Sequence, residues 1–151
     1  MDGLPYVYSF KKLIVYQKSR QTAAAIFHAS RSFPREEVFA LTDQVRRSSR
    51  AIGANIAEAW AKRSYEKHFI SKLTDADAEQ LETQHWLEVA HDCGYLSAHD
   101  FKALLSQVEE IGRLLGSMIA NASSFCKPQS IREPGVVYFI ESDDPDTEPL
   151  N

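Results

Sequence analysis

Two copies of a metal-binding pattern stand close together in this sequence, Glu82-x-x-His85 and Glu88-x-x-His91. Di-iron carboxylate bundles use Glu-x-x-His on two different helices and add one glutamate from each of two others. Here both copies fall on one predicted helix, six residues apart, so they point in different directions. Residues 10–31, which form another predicted helix, contain no acid at all. The ligand count fails, so no metal and no cofactor is expected, and the histidines read as part of a solvated face. Cys93 and Cys126 have no His/Asp constellation around them. There is no Gly-rich phosphate loop, no GxSxG and no HExxH. No catalytic residue is assigned, and the chain reads as a non-enzyme. The remaining candidates for chemistry are cations. Arg46, Arg47 and Arg50 form a basic patch that Lys62 and Arg63, with Arg35 at the other end, would extend along one helix. Arginines on one exposed face can neutralise phosphates of RNA or DNA. The plain alternative is pairing with acids of a neighbouring helix or subunit.

The elements that must position these residues are helices. No hairpin signal and no sustained alternation precedes residue 127. A first helix is predicted over residues 10–31, and the Phe33-Pro34 break leads into a second over residues 35–62. In the second, Val38, Leu41, Val45, Ser48, Ile52, Asn55 and Ala59 keep a heptad spacing. A third is predicted over residues 65–93 with Ser64 as N-cap, and its seam is Phe69, Leu73, Ala76, Gln80, Thr83, Leu87 and Ala90. Gly94 suits its stop. A fourth starts after Ser97, with Asp100 completing a capping pattern, and runs to about Phe125 on Phe101, Leu104, Val108, Ile111, Leu115 and Met118. The fold class is all-α. Short connections imply an antiparallel up-down-up-down four-helix bundle over residues 1–126. The third helix would then end where the fourth begins, so that Cys93 and Cys126 lie near opposite ends of the bundle, out of disulfide reach.

Residues 127–151 change character. Val136 to Ile140 is a short β-prone run, and the acidic, proline-broken stretch after it reads as a disordered tail. The chain has 151 residues and a net charge of −4. The tail, with 2 basic and 6 acidic residues, accounts for that excess, and residues 1–126 are neutral at 15 against 15. A neutral body binds polyanions only through a local patch. No apolar run approaches the roughly 18 residues of a spanning helix, and the N-terminus has no secretory pattern. A cytoplasmic protein without membrane contact is expected.

The segment from Ile52 to Ala61 is small or apolar nearly all the way round. A helix that is apolar all round is buried all round. Gly53, Ala57 and Ala61 align away from the seam and, with Trp60, are expected to meet a second copy of the chain. Asn55 and Glu58 are its polar members, with structural roles. Asn55 is expected to bond Gln80 or Thr83 across the core.

Residues 41–59, with Gln44, Arg46, Arg47, Ile52 and the run Asn55-Ile56-Ala57-Glu58, resemble the QLRRA…SI-x-x-NIAEG signature. That signature belongs to a bacterial four-helix-bundle family encoded in intervening sequences of 23S ribosomal RNA genes, also called the S23 ribosomal protein family. The Phe10-x-x-Leu13 opening and the stretch from Glu82 to Leu96 resemble it too. Ala59 replaces the usual glycine after NIAE, and Gln80 stands where many members have Glu. The resemblance implies a homopentamer with an RNA-related role. A similar fold in the accessory protein of diversity-generating retroelements implies, as the alternative, a scaffold or adaptor for a protein partner such as a reverse transcriptase.

Overall fold

In the computed structural model, the structure describes residues 9–126, and these are all-helical with no strand among them. Four long helices dominate: α1 (Ile14–Ser30), α2 (Asp43–Ala61), α3 (Glu66–Asp92) and α4 (Ala98–Ala120). A short α5 (Ala122–Cys126) follows. Helix α1 packs on α2 and α4, and α3 packs on α2 and α4. The expected β-prone run and acidic tail lie outside the described residues, as do residues 1–8. Among the described residues no helix is long and apolar enough to cross a membrane.

The helix starts depart from the expected ones. Residues 10–12 form a 3₁₀ turn capped by the Ser9 hydroxyl, and Leu13 then turns extended at ψ 127°. Leu13 is thereby driven into the core, and the first α-helix begins only at Ile14. The second predicted helix is likewise not uniform from Arg35. A 3₁₀ turn (Arg35–Glu37) and a π turn (Val38–Thr42) precede α2. The π turn closes with Asp43 N–H donating to the Val38 carbonyl, five residues back. That wider loop shifts the register, so Val38 leaves the seam and is 37% exposed, while Phe39 is 79% exposed. Ser64 does not cap α3. Tyr65 takes the N-cap position without a side-chain bond.

The later boundaries follow the local chemistry. Ser97 Oγ accepts from Asp100 N–H at 3.0 Å. Gly94 ends α3 at φ +79°. Gly94 N–H bonds the His91 carbonyl and Tyr95 N–H reaches back to Ala90, both at 2.9 Å, which satisfies two end carbonyls. Helix α4 stops at Ala120, because Asn121 turns its amide onto the Ser117 carbonyl at 2.9 Å, and α5 completes the run.

The core has two apolar parts. One gathers Leu13, Val15, Ile52, Ile56, Trp60, Phe69, Leu73, Ile111, Leu115 and Phe125. The other holds Ile26, Leu41, Val45, Leu87, Leu96, Leu104 and Val108. Between them along the helices runs a buried polar layer of Ser19, Thr22, Ser48, Ser49, Gln80 and Thr83. Its members find partners, as buried polar groups must. Thr83 Oγ1 lies 2.9 Å from Ser48 Oγ and 2.8 Å from the Glu79 carbonyl. Thr22 Oγ1 donates to Gln107 Oε1 at 3.2 Å. Asn55 does not join this layer. It is only half-buried, and its amide donates to the Ala51 carbonyl of its own helix at 2.9 Å. The cross-core bond expected of Asn55 is made instead by Ser48, one heptad earlier.

Candidate functional site

The arginines of α2 divide between two sides of the helix. Arg46 and Arg50 lie toward α1, with their guanidinium carbons 4.7 and 5.6 Å from the Phe27 ring centre. Arg46 Nε also donates to Ser30 Oγ at 2.8 Å. A guanidinium over a ring face is held by the ring quadrupole and keeps its remaining N–H groups available. Arg47 lies toward α3. Its Nη2 bonds Glu82 Oε2 at 2.6 Å, and its Nη1 is 3.6 Å from Glu79 Oε1. The expected single patch of Arg46, Arg47 and Arg50 is therefore split, since the acids that α3 presents capture Arg47.

The extension of the patch is partial as well. Lys62 is exposed just past α2. Arg63 folds back, its Nε donating to the Trp60 carbonyl at 2.8 Å and its guanidinium 3.6 Å above the Trp60 ring. Burial lowers the Arg63 pKa from the ordinary arginine value. Arg35 is exposed in its 3₁₀ turn.

Two of the residues expected at a subunit contact are also placed differently. Gly53 is buried, and a Cβ built on it would stand 3.1 Å from Ser19 Oγ and 3.6 Å from the Tyr16 ring. The close helix approach for which a small residue is needed is made with α1 of the same chain. Trp60 is buried in the chain's own core. Ala57 is half-buried beside the α1–α2 groove, while Ala61 is exposed. Glu58 is exposed and pairs with Lys72 of α3 at 2.9 Å. The hydrogen bond from Lys72, and then its charge, hold the Glu58 carboxyl below the ordinary carboxylate value.

Between α1 and α2 the small residues leave a groove of about 440 Å³. Ala23, Ala24, Gly53, Ala54 and Ala57 line it, Arg20 and Arg50 border it, and Phe27, Tyr16 and Phe10 bound its length. No acid lines it. Sequence reading missed Arg20 and the groove. The available signal was Arg20, Ala23, Ala24 and Phe27 at helical spacing on an acid-free helix.

Charge follows the same division. Residues 9–63 hold 11 Lys+Arg and 4 Asp+Glu, and residues 64–126 hold 4 and 10. The α1–α2 pair is therefore net +7 and the α3–α4 pair net −6, within a neutral body. Among the described residues, Lys18 and Arg47 reach acids across helices, whereas Arg20 and Arg50 make no ion pair. The Glu-x-x-His motifs do not converge. Glu82 is held by Arg47, and His91 stacks on Phe101 with ring centres 4.5 Å apart. Among the described residues no three His, Cys, Asp or Glu side chains come together to hold a metal ion.

A family model described as 23S rRNA-intervening sequence protein matches residues 11–117. A solved structure of a protein with unknown function from the S23 ribosomal protein family of Bacteroides thetaiotaomicron is similar at 32% identity, with a TM-score of 0.65. The likeness covers 71% of this chain and 96% of that one. A comparison with curated proteins found no match. The family match takes in α1, α2, α3 and nearly all of α4, so the chain belongs to the family of 23S rRNA-intervening sequence proteins.

Proposed function

We propose that this protein is a non-enzymatic, antiparallel four-helix bundle that binds nucleic acid, RNA first among the candidates, through the α1–α2 face. The observation that carries the reading is the segregation of charge. Arg20 and Arg50, which make no ion pair among the described residues, border a groove whose described lining has no acid, within a segment (residues 9–63) of net +7, although the body as a whole is neutral. Net charge would argue against a polyanion ligand, but a concentrated local field decides attraction at contact range. The family description, which names 23S rRNA, supports the same direction.

The chain acts as a homo-oligomer in this proposal, and a pentamer is the form the family resemblance implies. Ala61 and Leu81, the latter 55% exposed in the middle of α3, remain as surfaces for that assembly once Gly53 and Trp60 are accounted for inside the chain. Repetition of a weak patch raises avidity without strengthening any one site. A second reading, a scaffold for a protein partner, draws on Phe39, which is 79% exposed at the π turn.

Fluorescence anisotropy of a labelled RNA at low salt tests the first reading. Arg50→Glu is expected to weaken binding strongly and Arg47→Ala only slightly, because Arg47 already serves Glu82 and Glu79. Absence of binding by the parent at low salt would remove this reading and leave the scaffold.

A further inference from the structure

The groove between α1 and α2 is a built feature with a shape, a charge and a set of aromatic walls, and together these select among polyanions. We propose that it takes a single strand of nucleic acid, with bases along the wall formed by Tyr16 and the arginine-capped Phe27 and phosphates on Arg20 and Arg50. This rests on the nucleic-acid reading above and narrows it to one substrate class.

Size comes first. The groove has about 440 Å³, within the roughly 300–1,000 Å³ of ordinary small-ligand sites. That holds a few bases and cannot admit a duplex, which would touch only the rims. From Tyr16 to Phe27 the wall runs about 16 Å at ~1.5 Å per residue. A stacked strand advances ~3.4 Å per nucleotide, so the wall matches about five nucleotides. This falls within the roughly 4–16 nucleotides typical of a single-strand site.

Chemistry follows. Small residues keep the floor open, Tyr16 lines the groove, and the Phe27 ring there carries the Arg46 and Arg50 guanidiniums over it, so a base meets these planar groups rather than a bare Phe27 face. The two serine hydroxyls at the groove are already engaged. Ser19 donates to the Tyr16 carbonyl at 2.7 Å and Ser49 to the Arg46 carbonyl at 3.1 Å. Few fixed groups are left to read base edges, so recognition is by stacking and phosphate charge and tolerates sequence. A nucleic acid is favoured over an acidic peptide because it brings one planar base with every phosphate, whereas a peptide carries aromatic groups only where its sequence supplies them.

The test uses the full chain and labelled strands of about a dozen nucleotides of mixed sequence, as RNA, as DNA and as the DNA duplex. Single strands are expected to bind at least about tenfold tighter than duplex at equal salt, with RNA and DNA within about threefold of each other. Ala54 is exposed on the groove. Ala54→Phe should therefore fold normally by circular dichroism and lower single-strand affinity by about fivefold or more while leaving duplex binding unchanged. Duplex bound as tightly as single strand, or a folded Ala54→Phe that binds as the parent does, would overturn this inference and leave the polyanion reading standing. Failure of every probe to bind at low salt would overturn both.

Discussion

Gly112 and Gly116 lie one turn apart on α4 and respond to the same substitution in opposite ways. A Cβ on Gly112 would stand 2.7 Å from Gln80 Nε2 and 3.1 Å from its Cδ, whereas among the described residues nothing lies within 4 Å of one on Gly116. Alanine is favoured over glycine inside a helix by about 0.8–1.0 kcal/mol at either position. At Gly116 that gain is unopposed, and Gly116→Ala should stabilise by about 0.5–1 kcal/mol. At Gly112 the methyl must displace the Gln80 amide. Gln80 is 4% exposed, donates to Asp77 at 3.0 Å and accepts from Gln84 at 2.8 Å. Overpacking of this kind costs about 1–3 kcal/mol, so Gly112→Ala should range from neutral to about 2 kcal/mol destabilising. The difference between the two variants cancels the propensity and isolates the contact with Gln80. Urea unfolding measures it directly, and in melting temperature it corresponds to about 2–4 °C per kcal/mol for a chain of this size. In a Gln80→Ala background the difference should vanish. If Gly112→Ala stabilises as much as Gly116→Ala in the parent, the reasoning that Gln80 is pinned between α3 and α4 is wrong.

Gly53→Glu is expected to lower the melting temperature of the chain itself, because the side chain would be driven against Ser19 and Tyr16; a variant that melts as the parent does would contradict that placement. The Glu58–Lys72 pair has a defined pH dependence. Glu58 titrates below its ordinary value of 4.5 in the fold, so its contribution is complete above that value and is lost as pH falls through the folded pKa. Glu58→Gln should therefore flatten the acid limb of a stability–pH curve, and an unchanged limb would count against the pair. Cys93 is exposed, whereas burial raises the Cys126 thiol pKa. Iodoacetamide at neutral pH should modify Cys93 first, as read by peptide mass spectrometry, and preferential labelling of Cys126 would be inconsistent with this geometry.

Periodicity located the buried faces well. Every seam residue expected on α3, polar Gln80 and Thr83 included, is buried. Capping chemistry was equally readable at Ser97 and Gly94, because those bonds form within a few residues. The π turn was not readable, since one extra residue in a helical turn leaves no mark on residue types and shows only as the outward shift of Val38 and Phe39. Asn55 fits the seam by spacing, yet a carbonyl four residues back satisfies its amide, so no cross-core partner is required. The site was legible as a set of cations and illegible as a surface. Which neighbour claims an arginine depends on the helices alongside. Arg47 faces the acids of α3, whereas Arg46 and Arg50 face Phe27 on acid-free α1. The groove, too, exists only where α1 and α2 meet, about 30 residues apart in the chain, so Arg20 could not be joined to Arg50 by pattern alone.

In the proposed complex, cations on the α1–α2 face contact phosphates, and the salt dependence of binding measures such contacts. Each phosphate contact with a single strand contributes about 0.7 to the slope of log K against log salt. For a labelled single-stranded RNA, an Arg20→Ala/Arg50→Ala variant that stays folded is expected to show a slope shallower than the parent by about 1.4 per chain, with weaker binding at every salt concentration. A folded double variant with the parent's slope and affinity would show that the phosphates lie elsewhere and would contradict the claim.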